Sequence, residues 1–275
     1  MNATDGAPRP SVTFRPAIFS GYRTGAVDIS LMKRRVISIP TQLGCRIGCS
    51  FCVSGDVPLV RNLTAPEMLH LVHESLRAAP PDGRPIELSF TGEGEPSLNW
   101  RQAAAVCQAL PGVSPDFSSV RYCFSGLGAD RLLAKLDGGP FQTRLQLSLH
   151  AARQGVRDRL VRNSSPLPEI LAALERHAHR FASVELNVVL QDGVNDSDED
   201  LHALVTWGSP AWPILLNPLL RDGAEVMAGR AAHFERELRA AARTVHRYQR
   251  IGERICRGGI YPLMAARLHP IRSVQ

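Results

Sequence analysis

The chain has 275 residues, 44% of them apolar, a formal net charge of +6 and six cysteines. That is enough for one large domain or two small ones with a sizeable core. No stretch approaches the roughly 18–20 consecutive apolar residues of a membrane span, and no basic segment followed by an apolar run opens the sequence, so neither a transmembrane segment nor a secretory signal is expected. A cytoplasmic, reducing location is the resulting expectation, where cysteines serve as ligands or free thiols rather than disulfides. The positive charge permits nucleic-acid contact without showing it, because an arginine-rich composition also arises from genomic bias.

Residues 1–30 carry Pro, Gly, Thr and Ser with no helical period and read as an N-terminal arm, either irregular or a short strand pair. From there the pattern alternates. VISIP (36–40) reads as a strand, and TAPEMLHLVHESLRAA as a helix opened by a Thr64–Glu67 capping box. IELSF (86–90) and SVRYCF (119–124) read as strands, each followed by a helix, WRQAAAVCQAL and GADRLLAKL. RLQLSL (144–149) precedes helical PEILAALERHAHRF, and SVELNVVL (183–190) precedes helical DSDEDLHALVTWG. WPILLN (212–217) is the last clear strand, and AAHFERELRAAARTVHRY closes the series as the longest predicted helix. Six strands alternating with helices predict an α/β fold with a parallel sheet. Six repeats are too few for a closed eight-fold barrel, so an open, partial (βα)6 barrel over 31–275 is expected, with a C-terminal extension. Its chemistry should collect at the C-terminal ends of the strands.

The functional residues follow that rule. After the first strand comes CRIGCSFC, which places Cys45, Cys49 and Cys52 at C-x3-C-x2-C spacing. Three thiolates on one loop can bind an ion or a cluster. Structural zinc usually takes four ligands in two C-x2-C pairs, and no second pair is present. The spacing therefore reads as an iron–sulfur site ahead of zinc or free thiols, with one iron left open for an outside ligand. Cys107 and Cys123 fall inside a predicted helix and strand and read as ordinary core. The second strand ends in TGEGEPSLN, where Gly92 and Gly94 allow close backbone approach and Glu95 supplies a carboxylate. Ser125 ends the third strand, Ser148 and His150 the fourth, and Asn217 the sixth. Each alone could be a loop residue satisfying backbone. Their recurrence at one end of successive strands marks a site.

C-x3-C-x2-C with Phe51 before the last cysteine resembles the radical SAM superfamily. The resemblance implies a [4Fe–4S] cluster held by Cys45, Cys49 and Cys52, with S-adenosylmethionine (SAM) on its open iron. It also implies cofactor contacts from the glycine-rich segment, Glu95, Ser125, Ser148 and Asn217, with His150 as a further candidate. QLGCRIGCSFCVSG, RNLTAPEM, GEGEPSLN, SLHA, VRDRLVRNS, DGVNDSDEDLHAL and LNPL together resemble one branch, the radical SAM adenine methyltransferases of ribosomal and transfer RNA and their C8-methylating relatives.

The departures from that branch shape the functional expectation. The branch uses a cysteine seven residues before the first cluster cysteine, where this chain has Ser38. It uses another near the C-terminus, where RGGIYPLMAARL has none and the nearest thiol is Cys256. A serine hydroxyl is a poor substitute for a thiolate nucleophile. The branch's N-terminal RNA-binding domain also has no counterpart in the 30-residue arm. The expectation is thus a radical SAM enzyme that cleaves SAM reductively and abstracts hydrogen from a small, nucleoside- or nucleotide-like substrate. Its electron donor would be of the flavodoxin or ferredoxin kind, and no membrane is involved. The alternatives are an RNA adenine methyltransferase using Cys256, and a non-catalytic iron–sulfur regulatory or nucleic-acid-binding protein.

Overall fold

The computed structural model describes residues 10–247 apart from 56, 137, 222 and 223. Cys256 and the C-terminal extension lie outside the described residues. Two strands of the arm, β1 (Ser11–Phe19) and β2 (Tyr22–Ser30), form an antiparallel hairpin turned at Ser20–Gly21. β2 pairs antiparallel with β3 (Arg35–Ile39). A short antiparallel pair follows, β4 (Gln42–Leu43) with β5 (Arg61–Asn62), which closes the base of the cysteine loop.

The βα units follow in order: α1 (Ala65–Ala78), β6 (Ile86–Phe90), α2 (Trp100–Ala109), β7 (Phe117–Phe124), α3 (Ala129–Lys135) and β8 (Gln142–Ser148). Then come α4 (Gln154–Leu160), α5 (Leu167–His177), β9 (Ser183–Val189), α6 (Asp198–Thr206) and β10 (Ile214–Asn217). A small hairpin, β11 (Leu219–Arg221) with β12 (Ala224–Val226), precedes α7 (Ala231–Ala240) and β13 (Val245–Arg247). The main sheet runs β1-β2-β3-β6-β7-β8-β9-β10-β13, and every pairing from β3 onward is parallel. This is the expected α/β partial barrel, with the hairpin adding antiparallel strands at one edge.

Local chemistry accounts for the elements. Thr64 caps α1, and its partner Glu67 returns the bond, as the capping box predicts. Ser197 and Asp200 do the same for α6. The strands alternate with period two. Ile37, Leu88, Tyr122, Leu145, Leu186 and Ile214 are buried in one core with the helices. Their neighbours Ser38, Glu87, Ser89, Arg121, Cys123, Gln146 and Glu185 occupy the opposite face, where Ser38, Ser89 and Cys123 bond to Thr91, Arg121 to Glu87 and Glu185, and Gln146 to Cys123 and Glu185.

Three expectations are corrected. Residues 231–248 do not form one long helix. α7 stops at Ala240, where Ala242 turns left-handed (φ 59°) and Arg243 N–H bonds back to the Leu238 carbonyl. The next residues become β13, a seventh parallel strand beside β10. The longest described helix is α1, at 14 residues. Cys123 is not core: it lies half-buried on the polar face, accepting from the Thr91 hydroxyl at 2.7 Å and donating to Gln146 Oε1 at 3.2 Å. Cys107 does sit in the apolar core. No described helix is long and apolar enough to cross a membrane.

Candidate active site at the strand C-termini

The cysteine loop, residues 44–60, leaves the sheet just after β3. Its path depends on Gly44, whose left-handed backbone (φ 75°) places a would-be Cβ 2.1 Å from the Pro58 carbonyl oxygen. Only glycine fits there. Inside the loop, Cys52 N–H donates to the Cys49 carbonyl at 3.1 Å and Gly55 N–H to the Cys52 carbonyl at 2.8 Å. From outside, Ser50 N–H donates to the Leu160 carbonyl, and the Asn163 amide donates to the carbonyls of Arg46 and Ile47. Cys45, Cys49 and Phe51 pack against a separate apolar cluster of Ile47, Ala151, Val156, Leu160 and Val161. The end of α4 thus lashes the loop in place.

The three thiols suit a cationic guest. Burial pushes Cys45 up to about 11, and pushes Cys49 and Cys52 up as well. Negative charge on one cysteine raises its neighbours further: Cys52 acts on Cys45, and both act on Cys49. Bringing all three to thiolate therefore requires a strong local positive charge, which an iron core supplies. Among the described residues no three Cys, His, Asp or Glu side chains converge as they would on a single ion. Three thiols on one loop are the donor type that an iron–sulfur core takes.

The glycine-rich segment after β6 packs directly on β4. Gly92 and Gly94 have φ of 118° and 100°. A Cβ on Gly94 would lie 2.7 Å from both Gln42 N and Gln42 Cβ. This approach lets Gln42 Oε1 accept from Glu95 N–H at 2.8 Å. The Glu95 carboxylate is 2% exposed and receives two backbone donors, Ser97 N–H at 3.1 Å and Ser125 N–H at 2.9 Å. Burial pushes its pKa up, while those donors pull the other way. Glu93 is buried beside it. It accepts from Gly44 N–H at 2.5 Å and from the Thr24 hydroxyl at 3.1 Å, and burial pushes it up to about 7.

The later strand ends join the same place. Arg157 of α4, 1% exposed, donates to the carbonyls of Ser148 (2.9 Å), Leu149 and Ser125, and to the Ser164 hydroxyl (3.0 Å). It ties the end of β7 to the end of β8. Burial lowers its pKa to about 10. His150 holds a left-handed backbone (φ 56°). Its Nδ1 accepts from Val189 N–H at 3.1 Å, and its carbonyl accepts from Asn195 Nδ2 at 2.6 Å. Burial, with Arg157 adding to it, lowers its pKa to about 3, so the ring is neutral and carries its proton on Nε2. That ring stands edge-on to Phe51 of the cysteine loop, 4.6 Å between centroids. The Asn217 amide donates to Asn187, whose strand neighbour is Ser148.

The candidate cluster and cofactor residues, Cys45, Cys49, Cys52, Gly92, Gly94, Glu95, Ser125, Ser148, His150 and Asn217, thus lie at one end of the sheet. Contacts link Glu95 to Ser125, Ser125 through Arg157 to Ser148, and the cysteine loop to His150 through Phe51. Four supporting residues escaped sequence reasoning: Gln42, Glu93, Arg157 and Asn195. Each falls inside a motif quoted above, but most of their partners lie outside that motif, so spacing alone does not pair them. The placement of Cys123 did have a signal, because strand alternation puts it on the face of Arg121.

No protein-family profile matches the chain. Among curated proteins it is 35% identical over 182 residues to the dual-specificity RNA methyltransferase RlmN of Caulobacter vibrioides, covering 62% of this chain and 44% of that one. A probable RNA methyltransferase of Anaeromyxobacter is 32% identical over 212 residues, covering 74% and 61% respectively. The chain spans about half the length of the curated relatives it matches. Among solved structures, a radical SAM methyltransferase from Sphaerobacter thermophilus superposes with a TM-score of 0.74 at 28% identity, over 91% of this chain and 80% of that one. The chain thus resembles radical SAM methyltransferases, the RlmN branch among them, in sequence and in fold.

Proposed function

We propose that the chain is a radical SAM enzyme. Cys45, Cys49 and Cys52 would hold a [4Fe–4S] cluster, and Gly92, Gly94, Glu95, Ser125, Ser148, His150 and Asn217 would surround SAM. When bound, the cluster would supply the electron for reductive cleavage of SAM to methionine and a hydrogen-abstracting 5′-deoxyadenosyl radical. The chain's own residues do the rest. Buried Glu95, braced by two backbone N–H groups, offers its remaining lone pairs as a fixed acceptor for an ammonium group. The apolar cluster beneath the cysteines keeps water away from them. The observation that carries the reading is the juxtaposition of three mutually repelling thiols with a buried, backbone-braced carboxylate at the C-terminal ends of parallel strands.

The substrate in this reading is small and nucleoside- or nucleotide-like, and a flavodoxin or ferredoxin in a reducing, cytoplasmic compartment delivers the electron. Methyl transfer is disfavoured by Ser38, whose hydroxyl donates to the Thr91 carbonyl at 3.1 Å, and which has no thiol chemistry to offer. The second reading, RNA adenine methylation, is favoured by the names of the relatives and would need Cys256.

Product analysis separates the two. The protein is reconstituted anaerobically and incubated with SAM and a strong reductant, and 5′-deoxyadenosine and S-adenosylhomocysteine are quantified by mass spectrometry. Deoxyadenosine without the homocysteine product is expected. Substantial S-adenosylhomocysteine, lost on Cys256→Ala, would establish the second reading. A loaded cluster with neither product would make the protein a non-catalytic iron–sulfur protein.

A further inference from the structure

Arg157 presents an electrostatic puzzle. Its side chain is among the largest fully buried ones, yet every group it donates to is neutral: three main-chain carbonyls and one hydroxyl. Its Nε has no partner. A buried guanidinium normally sits against a carboxylate, because desolvating the charge is expensive. The two carboxylates that act on it are poor counter-ions. Asp158, the next residue in α4, is exposed, and Glu95, whose oxygens meet the Ser97 and Ser125 amides, forms no ion pair with Arg157 among the described residues. The remaining negative influence is Cys49, and the action is mutual: ionised Cys49 favours the Arg157 charge, and Arg157 favours ionised Cys49.

The surroundings make that pairing directional. Arg157 lies in α4 between Val156 and Leu160, both members of the apolar cluster against which Cys45, Cys49 and Phe51 pack. Ser50, next to Cys49, bonds to the Leu160 carbonyl one helical turn from Arg157. α4 thus carries Arg157 beside the apolar cluster on which the cysteine loop rests, where a charge is screened less than in open water.

We propose that Arg157 is a positioning residue whose buried charge is the counter-ion of the three-cysteine cluster and raises its reduction potential. This rests on the cluster reading given above. A [4Fe–4S]2+ core with three thiolates bears one net negative charge. One electron from a low-potential donor makes it two, with no proton or bond change required. A fixed positive charge stabilises the doubly negative state more, so it eases reduction. Removing it should disfavour reduction at least tenfold, which for a one-electron couple is about 59 mV.

The test is an EPR-monitored redox titration of the full chain, reconstituted anaerobically, as wild type, Arg157→Gln and Arg157→Lys. Iron and sulfide content and circular dichroism are measured on each. The expected result is a more negative midpoint in Arg157→Gln by tenfold or more in the reduction equilibrium, with Arg157→Lys, which keeps the charge, within threefold of wild type. Equal midpoints in loaded wild type and loaded Arg157→Gln would overturn the proposal while leaving the cluster reading intact. If Arg157→Gln does not fold, the lysine variant decides alone: a shift beyond threefold, or failure to fold, would make Arg157 a tie between β7 and β8 only. Wild-type protein that takes up no iron and sulfide would overturn both the cluster reading and this one.

Discussion

Glu93 ties the hairpin, the cysteine loop and the glycine-rich segment together through a carboxylate whose two partners, Gly44 N–H and the Thr24 hydroxyl, are both uncharged. Burial raises its pKa from 4.5 to about 7. Between those values the folded metal-free protein holds a proton at Glu93 that the unfolded chain has released. The folded state binds more protons, so stability falls as pH rises through the window. At about 1.4 kcal/mol per pH unit, the loss from Glu93 comes to about 3 kcal/mol. Glu93→Gln removes the titration while keeping an oxygen for Gly44 N–H and an amide that can donate to Thr24. Urea unfolding of the metal-free proteins, extrapolated linearly to water at pH 5, 6, 7 and 8, gives the comparison. Other titrating groups cancel in the difference between the two proteins. The glutamine variant should gain on wild type by up to about 3 kcal/mol between pH 5 and pH 8. A difference that stays constant with pH would mean that Glu93 ionises like an exposed carboxylate, and that its burial carries no such cost.

His150 should show the opposite slope. Its pKa is lowered to about 3 by burial and then by Arg157, so the folded state binds fewer protons than the unfolded chain between 3 and 6.5. Stability is lost as pH falls through that window, and His150→Gln should flatten this acid limb in the same urea series. Asn195→Ala removes donors to the His150 and Val189 carbonyls and the acceptor for Gln191 N–H, and should cost about 2–4 kcal/mol by thermal or urea unfolding. Gly94→Ala forces a Cβ against Gln42 in a left-handed backbone and should cost about 1–3 kcal/mol of strain. Equilibrium dialysis of the reconstituted variant should then show SAM affinity down at least tenfold. Replacing any one of Cys45, Cys49 or Cys52 by Ala should remove most reconstituted iron, read by iron assay and visible absorption.

The sequence carried the strands and the site end well because both are local signals. Val36, Ile86 and Val184 open apolar runs with period two, and Thr64 with Glu67 forms a cap four residues long. The chain end of α7 carried no such punctuation: RAAART has no glycine or proline, and only Ala242, in a conformation alanine rarely adopts, stops the helix. β13 is three residues long and exists through its pairing with β10, a non-local event. α4 is short and its VRDRL core is mostly charged, so it lacks an apolar stripe. In the site, Cys45, Glu95 and Ser125 were visible as types in a pattern. What braces them was not, since Gln42 meets Glu95 and Asn195 meets His150 across gaps of 53 and 45 positions.

The order of strands in the sheet from β1 to β10 also follows the order of synthesis, and no later strand inserts between two earlier ones. Each strand emerging from the ribosome finds its neighbour already made, a layout suited to folding during translation. The cysteine socket is the exception. Its loop is made early, but the groups that lash it, the Leu160 carbonyl and the Asn163 side chain, emerge more than a hundred residues later. A maturation factor that reached the nascent chain before α4 docked would find three cysteines on an unsupported loop. In the cluster reading, the socket is complete only once a segment well downstream of the three cysteines has docked.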